Sequence, residues 1–126
     1  MTKYVIPKKF HQNLYIFEGG LQHYHIYNKS LTIITNLVDY YEPSIDIRLP
    51  DYMDTVKIFF KNFRYLKLNT SYVIESDHYN NIIELGEYRD GNELLDYGGV
   101  LYWLGSLDVP TSWILEVVCE DIELEF

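Results

Sequence analysis

Apolar and polar residues alternate in short runs along this chain, and Asn, Asp, Gly and Pro separate the runs. Alternation of period two is the pattern of a half-buried β-strand. NLYIFEGG predicts a first strand near Leu14–Phe17, stopped by Gly19-Gly20. LQHYHIYNKSLTIITNLV reads as a hairpin: Leu21–Tyr27, a turn at Asn28-Lys29-Ser30, then Leu31–Val38. In SIDIRLP, Ile45, Ile47 and Leu49 share one face, and Asp46 and Arg48 the other. TVKIFFKN repeats this with Val56, Ile58 and Phe60, and FRYLKLN follows with Leu66 and Leu68 in the same phase. SYVIES is a further strand. NNIIELGEY fits a strand or a short helix, RDGN is a turn, and ELLDYGG suits a single helical turn closed by Gly98. VLYWLGSL and SWILEVVCEDIELEF complete the chain.

About eight short strands at regular spacing predict a mainly β fold. The expected form is a single domain, residues 1–126, built as an antiparallel β-sandwich or strongly curved sheet. The alternative is a small α+β domain with one short helix near 77–85 or 92–97. Composition agrees with strands: Tyr, Phe, Ile and Val are abundant and there is no alanine.

The last strand contains a break. Trp113, Leu115, Val117 and Cys119 are apolar at odd positions, whereas Ile122, Leu124 and Phe126 are apolar at even ones. A strand that keeps one core face across this flip needs a bulge or bend at Glu120-Asp121. With that correction, Glu116, one of Glu120/Asp121, Glu123 and Glu125 are expected to point outward together. If 120–126 forms a sheet edge, that acidic row discourages self-pairing.

Charge sharpens the contrast between the two ends. Residues 1–74 carry nine Lys and Arg against six carboxylates, a net +3, and residues 75–126 carry thirteen carboxylates against Arg89, a net -12. The whole chain is at -9. This distribution disfavours nucleic acid at the C-terminal half and favours a cationic partner, or simply solubility. One cysteine excludes an intramolecular disulfide. No signal-peptide-like or membrane-spanning run is present, so a soluble cytoplasmic protein is expected.

Candidate chemistry is thin. His23 and His25 share a strand face, but a metal site needs further ligands, and nothing in the spacing selects His11, His78 or a carboxylate. Cys119 falls in the apolar phase beside two acids, the wrong setting for a reactive thiol. The serines lack a nucleophile-elbow context, and Gly19-Gly20 and Gly98-Gly99 lack the surroundings of a phosphate loop. Lys57, Lys61, Arg64 and Lys67, interleaved with Phe59, Phe63 and Tyr65, faintly outline a single-strand nucleic-acid platform, against which the net charge argues. Thirteen tyrosines exceed what a core needs. YYEP at 40–43, the 50–54 loop and YRDGNELLDYGG are the expected exposed clusters, suited to protein contacts.

FHQ at 10–12, LTIITNLV, VKIFFKNFRYLKLN, YVIES and WILEVVCEDIELEF, in that order, resemble small bacterial immunity-type domains, in particular the immunity protein 50 group and its uncharacterised relatives. Val56, Ile58, Phe60, Asn62, Leu66 and Leu68 match the middle element, and Val117, Cys119 and Ile122 the last. Gln12 stands where Asp is usual and Phe63 where Val is usual. The resemblance implies a cytoplasmic antidote that binds and blocks a cognate toxin, with no catalytic residues to carry over; no cofactor or metal is expected, and whether His23 and His25 bind metal stays open. The expected partner is a cationic protein toxin such as a nuclease, rather than nucleic acid or membrane. The expected contact set is Glu116, Glu120, Asp121, Glu123 and Glu125, supported by Glu84, Glu87, Tyr88 and Asp90. The alternative is a small β scaffold that binds a sugar or other small molecule on exposed aromatics. Monomer and homodimer both stay open.

Overall fold

The computed structural model describes residues 2–16, 21–36, 38–40, 42, 55–69, 82–86, 100–102 and 115–126. Among them are nine strands and a short 3-10 helix, Lys8–Asn13. The strands are β1 (Lys3–Ile6), β2 (Leu14–Ile16), β3 (Leu21–Tyr27), β4 (Ser30–Thr35), β5 (Val38–Tyr40), β6 (Val56–Asn69), β7 (Ile82–Gly86), β8 (Val100–Tyr102) and β9 (Leu115–Glu125). The fold is mainly β, as the alternation predicts, and every ladder is antiparallel.

Two long strands carry the architecture. The order β1-β9-β6-β4-β3 forms one part of the main sheet, while β7 joins β6 and β8 joins β9 at their other ends. Thus β6 pairs with β4 through Val56–Phe60 and with β7 from Tyr65 onward, on the side away from β9. The interior-facing residues make one core. Leu31, Ile33, Val56, Ile58, Phe60, Leu66, Leu68, Leu115, Val117, Ile122 and Leu124 are all fully buried in it. The separate β2–β5 ladder adds Leu14, Ile16 and Tyr40 to the same cluster. Removing a buried aromatic such as Phe60 from such a core costs about 3–5 kcal/mol.

Several boundaries differ from expectation for local reasons. The hairpin turn has two residues, not three: Asn28 and Lys29 both adopt positive φ (49° and 58°), and Ser30 already pairs with Tyr27. That backbone suits the right-handed twist of a tight hairpin. The expected strand Leu31–Val38 is divided into β4 and β5. Residues 56–69, expected as two strands, form one. Ile82–Gly86 is a strand, which removes a helix over 77–85. β1 was not expected; four residues show too little periodicity, and its partner is the far C-terminus. Thr2 and Phe126 exchange backbone hydrogen bonds at 2.6 and 2.9 Å and close that ladder. The expected strands at 44–50 and 71–76, and the helical turn at 92–97, fall outside the described residues.

The predicted phase break is present. Cys119 and Ile122 are both in the core, and Glu120 and Asp121 between them are both exposed. β6 breaks phase beside it, with Phe60 and Phe63 buried and Asn62 exposed at a φ of 53°. Lys61 pairs with Asp121 and Phe63 with Cys119, so the two strands kink together without losing register. The register shift comes one step further, where Phe63 and Tyr65 oppose Cys119 and Val118. The extra residue is therefore Arg64 on β6, and not an insertion in β9.

Candidate functional site

β9 is not an edge strand, contrary to one expectation. Its acidic C-terminal end is flanked by β1 on one side and β6 on the other. The side chains that face away from the core form rows across these strands. Val5, Glu123, Phe59, Thr32 and His25 stand in one row, and Lys3, Glu125, Lys57, Ile34 and His23 in the next. Glu116, Glu123 and Glu125 do share the outward side, as the corrected phase predicts. They do not form a free acidic row.

Glu123 and Glu125 are only 9 % and 8 % exposed. Lys61 Nζ donates to Glu123 Oε2 at 2.7 Å, and Lys3 Nζ stands 4.0 Å from Glu123 Oε1 and 3.6 Å from Glu125 Oε2. Burying a carboxylate is costly unless it gains such partners. The expectation that these two acids lie open to a partner is therefore corrected: they are shielded and already have counter-ions.

On the outer side of the other half, Lys67 stands in register between Glu84 and Glu116. Tyr65 donates its hydroxyl hydrogen to Glu84 Oε1 at 3.1 Å. Glu84 is exposed and Glu116 half-buried. Burial pushes the Glu116 carboxyl above its ordinary value and Glu84 adds to this, while Lys67 opposes it.

At the bend the situation is different. Glu120 and Asp121 are both exposed, and Asn62 Nδ2 donates to Glu120 Oε2 at 3.3 Å. Lys61, the register partner of Asp121, directs its ammonium to Glu123. Among the described residues, Glu84, Glu120 and Asp121 enter no ion pair. The site thus reduces to an exposed shoulder, Glu120-Asp121, with Glu84 on the outer side of the neighbouring half. Glu87, Tyr88 and Asp90 fall outside the described residues.

The other candidate groups resolve as follows. His23 and His25 project side by side from the exposed side of β3, each ring stacked on a tyrosine 6.4 Å away. His11 cannot join them: it is buried, and its Nε2 donates to the Ile6 carbonyl at 3.2 Å. Among the described residues no three His, Cys, Asp or Glu side chains gather as metal ligands. The Cys119 thiol is buried and pushed up to about 12, first by burial and then by Asp121 and Glu120. The outlined nucleic-acid platform does not assemble. Phe63 packs into the core, Tyr65 packs against Val118 on the opposite side, and Lys61 is held by Glu123.

One polar cluster was not anticipated. Tyr4 and Tyr40 both donate their hydroxyl hydrogens to Glu42 Oε2, the latter at 2.7 Å. Tyr40 and Glu42 are buried, so the expected exposure of the YYEP stretch is wrong for these two residues. Burial, then the hydrogen bond to Glu42, raises both hydroxyls above the ordinary tyrosine value. The cluster ties β1 to the end of β5. No sequence signal pairs residues this far apart.

No protein-family model, curated protein or solved structure matches this chain.

Proposed function

We propose that this protein is a non-enzymatic immunity or inhibitor protein that binds and neutralises a cationic protein toxin such as a nuclease. The observation that supports this reading best is the exposed Glu120-Asp121 shoulder. Its carboxylates have no cationic partner among the described residues, in a protein with a net charge of -9. Exposed carboxylates steer a basic partner into encounter and occupy the groove that would hold a phosphate backbone. Glu84, exposed on β7, carries the same chemistry. The likeness to immunity-type domains agrees with a protein that acts in the cytoplasm by occupation rather than by reaction.

The expected outcome concerns charge reversal at the shoulder. Glu120→Lys with Asp121→Lys slows association with the toxin encoded beside this gene and abolishes protection of cells that produce it. Loss of association should be greatest in low salt, because the steering is screened in high salt. Unchanged association in low salt removes the shoulder from the interface. A toxin that does not bind the wild-type protein at all refutes the antidote reading.

A further inference from the structure

The antidote reading leaves His23 and His25 of β3 without a role. They stand at alternate positions of the strand and share its outward side, in register with Ile34 and Thr32 of β4. Both are exposed. Each ring meets a tyrosine ring, His23 that of Tyr24 and His25 that of Tyr27, at 6.4 Å between centroids. Among the described residues no hydrogen bond or ion pair holds a ring nitrogen of either one. His11 is the contrast, buried and bonded to the Ile6 carbonyl.

The strand presets the spacing of this pair. Alternate residues of a strand project to one side with Cα atoms about 6.6 Å apart. Two imidazoles that bind one ion at about 2.0 Å bring their ligating nitrogens to about 3 Å from each other. Two side chains that lean together close the difference, and among the described residues neither gives up a hydrogen bond to do so. The backbone beneath them stays fixed. The tight turn at Asn28-Lys29 and the ladder from Tyr27–Ser30 to His23–Ile34 hold both residues in register. Ligands carried on a paired strand are held more precisely than ligands on a loop.

We infer that His23 and His25 together chelate one copper(II) ion, with water in its remaining positions. The choice of ion follows from the donor set. Among the described residues no third His, Cys, Asp or Glu gathers beside the pair, and two nitrogens are too few for a closed zinc site, which takes four ligands. Magnesium and calcium seek oxygen, whereas the donors here are imidazoles and their cross-strand neighbours are Thr32 and Ile34. Copper(II) binds nitrogen donors most tightly of the divalent first-row ions and accepts a tetragonal set. The open positions make the ion exchangeable and leave room for a ligand from another molecule. β4 and β6 separate β3 from β9, so the inference does not depend on the antidote reading.

The test is a titration of the full chain with copper(II) in a non-chelating buffer, read by paramagnetic broadening of amide signals and by electron paramagnetic resonance. The first equivalent should broaden the amides of residues 22–26 and their β4 partners before any others, and the resonance spectrum should show coupling to two imidazole nitrogens. Zinc should compete weakly and magnesium not at all. His23→Asn and His25→Asn, both at exposed positions, should each weaken binding about tenfold or more. The inference is overturned by first-equivalent broadening centred elsewhere, the N-terminus included, by a spectrum without coupling to two nitrogens, by magnesium competing as well as zinc, or by wild-type affinity in both variants. The broadening and the spectrum are read on the wild-type protein, so they decide the matter even if a variant fails to fold.

Discussion

The ion pair between Lys61 and Glu123 decides whether the acidic C-terminus is a surface or an interior feature. Glu123 is nine-tenths buried on the side away from the core, with Lys61 at 2.7 Å and Lys3 at 4.0 Å. A charge-assisted hydrogen bond shielded from water contributes about 1.5–3 kcal/mol. The Lys61 side chain is 45 % exposed, which draws the value toward the exposed-pair range of about 0.2–1 kcal/mol. The expected coupling is therefore about 1–1.5 kcal/mol. The single variants should be unequal. Among the described residues Lys61→Met leaves a shielded carboxylate with only the distant Lys3, and should cost about 2 kcal/mol. Glu123→Gln leaves an ammonium that water can reach, and should cost about 1 kcal/mol. Urea denaturation of the wild type, both single variants and the double variant gives the coupling directly, read as a change in midpoint at constant m. A coupling below about 0.3 kcal/mol, or a larger cost for Glu123→Gln than for Lys61→Met, refutes the reasoning. Glu123 would then be an open surface acid available to a partner.

Three further outcomes follow from the same geometry. Gly86→Ala should destabilise the β6–β7 ladder by about 2–4 kcal/mol, from left-handed strain plus a clash with the Arg64 carbonyl; hydrogen exchange at residues 65–69 and 82–86 would report it, and unchanged protection there would count against it. Burial raises the folded-state Glu116 carboxyl above its unfolded value, so the folded state holds that proton more tightly. Stability should therefore fall as pH rises from the ordinary carboxyl value through the raised one, and Glu116→Gln should remove that fall; parallel stability–pH curves for the two proteins would refute the assignment. The Cys119 thiol, buried and pushed up to about 12, should resist iodoacetamide at neutral pH until urea unfolds the chain. Native-state alkylation at the rate of a free thiol would contradict its placement.

The sequence discloses what repeats over short distances and hides what joins distant segments. Alternation identified β3, β4, β6 and β9, because each has one face in water or among polar groups and one in the core. The phase flip at Glu120-Asp121 was legible for the same reason, since parity of apolar positions is a local quantity. The matching kink at Asn62 was not, because Phe63 could be counted as surface or core until its partner Cys119 was known. Register also set the fate of the acids. Nothing in DIELEF says that Lys3 and Lys61 will stand beside it, since one is at the N-terminus and the other is in mid-chain. Glu42 escaped for the same reason: its two tyrosine partners make sense only once β1 and β5 meet. Lys3–Ile6 was missed because its four residues do not alternate: Tyr4, Val5 and Ile6 are apolar in a row.

Where β6 and β9 pair, the fold sets basic and acidic stretches of the sequence against each other, and that pairing gives the remaining acids of β9 their meaning. β6 carries Lys57, Lys61 and Lys67 and pairs along its length with β9, which carries Glu116, Asp121, Glu123 and Glu125. β1 adds Lys3 from the other flank. Two segments that read separately as a basic platform and an acidic row are thus one mixed surface, unsuited to a phosphate backbone and poor as an imitation of one. The kink interrupts this pairing of opposites. Where both strands break phase, two successive residues of β9 must leave the core, and Lys61 is drawn to Glu123 rather than to Asp121. Folding requires that Glu120 and Asp121 be polar; it does not require that they be acidic, since adjacent like charges repel and Asn or Ser would serve the bend as well. Their negative charge is thus the part of the C-terminal sequence that the fold leaves unexplained, and the part on which the proposed cationic partner would act.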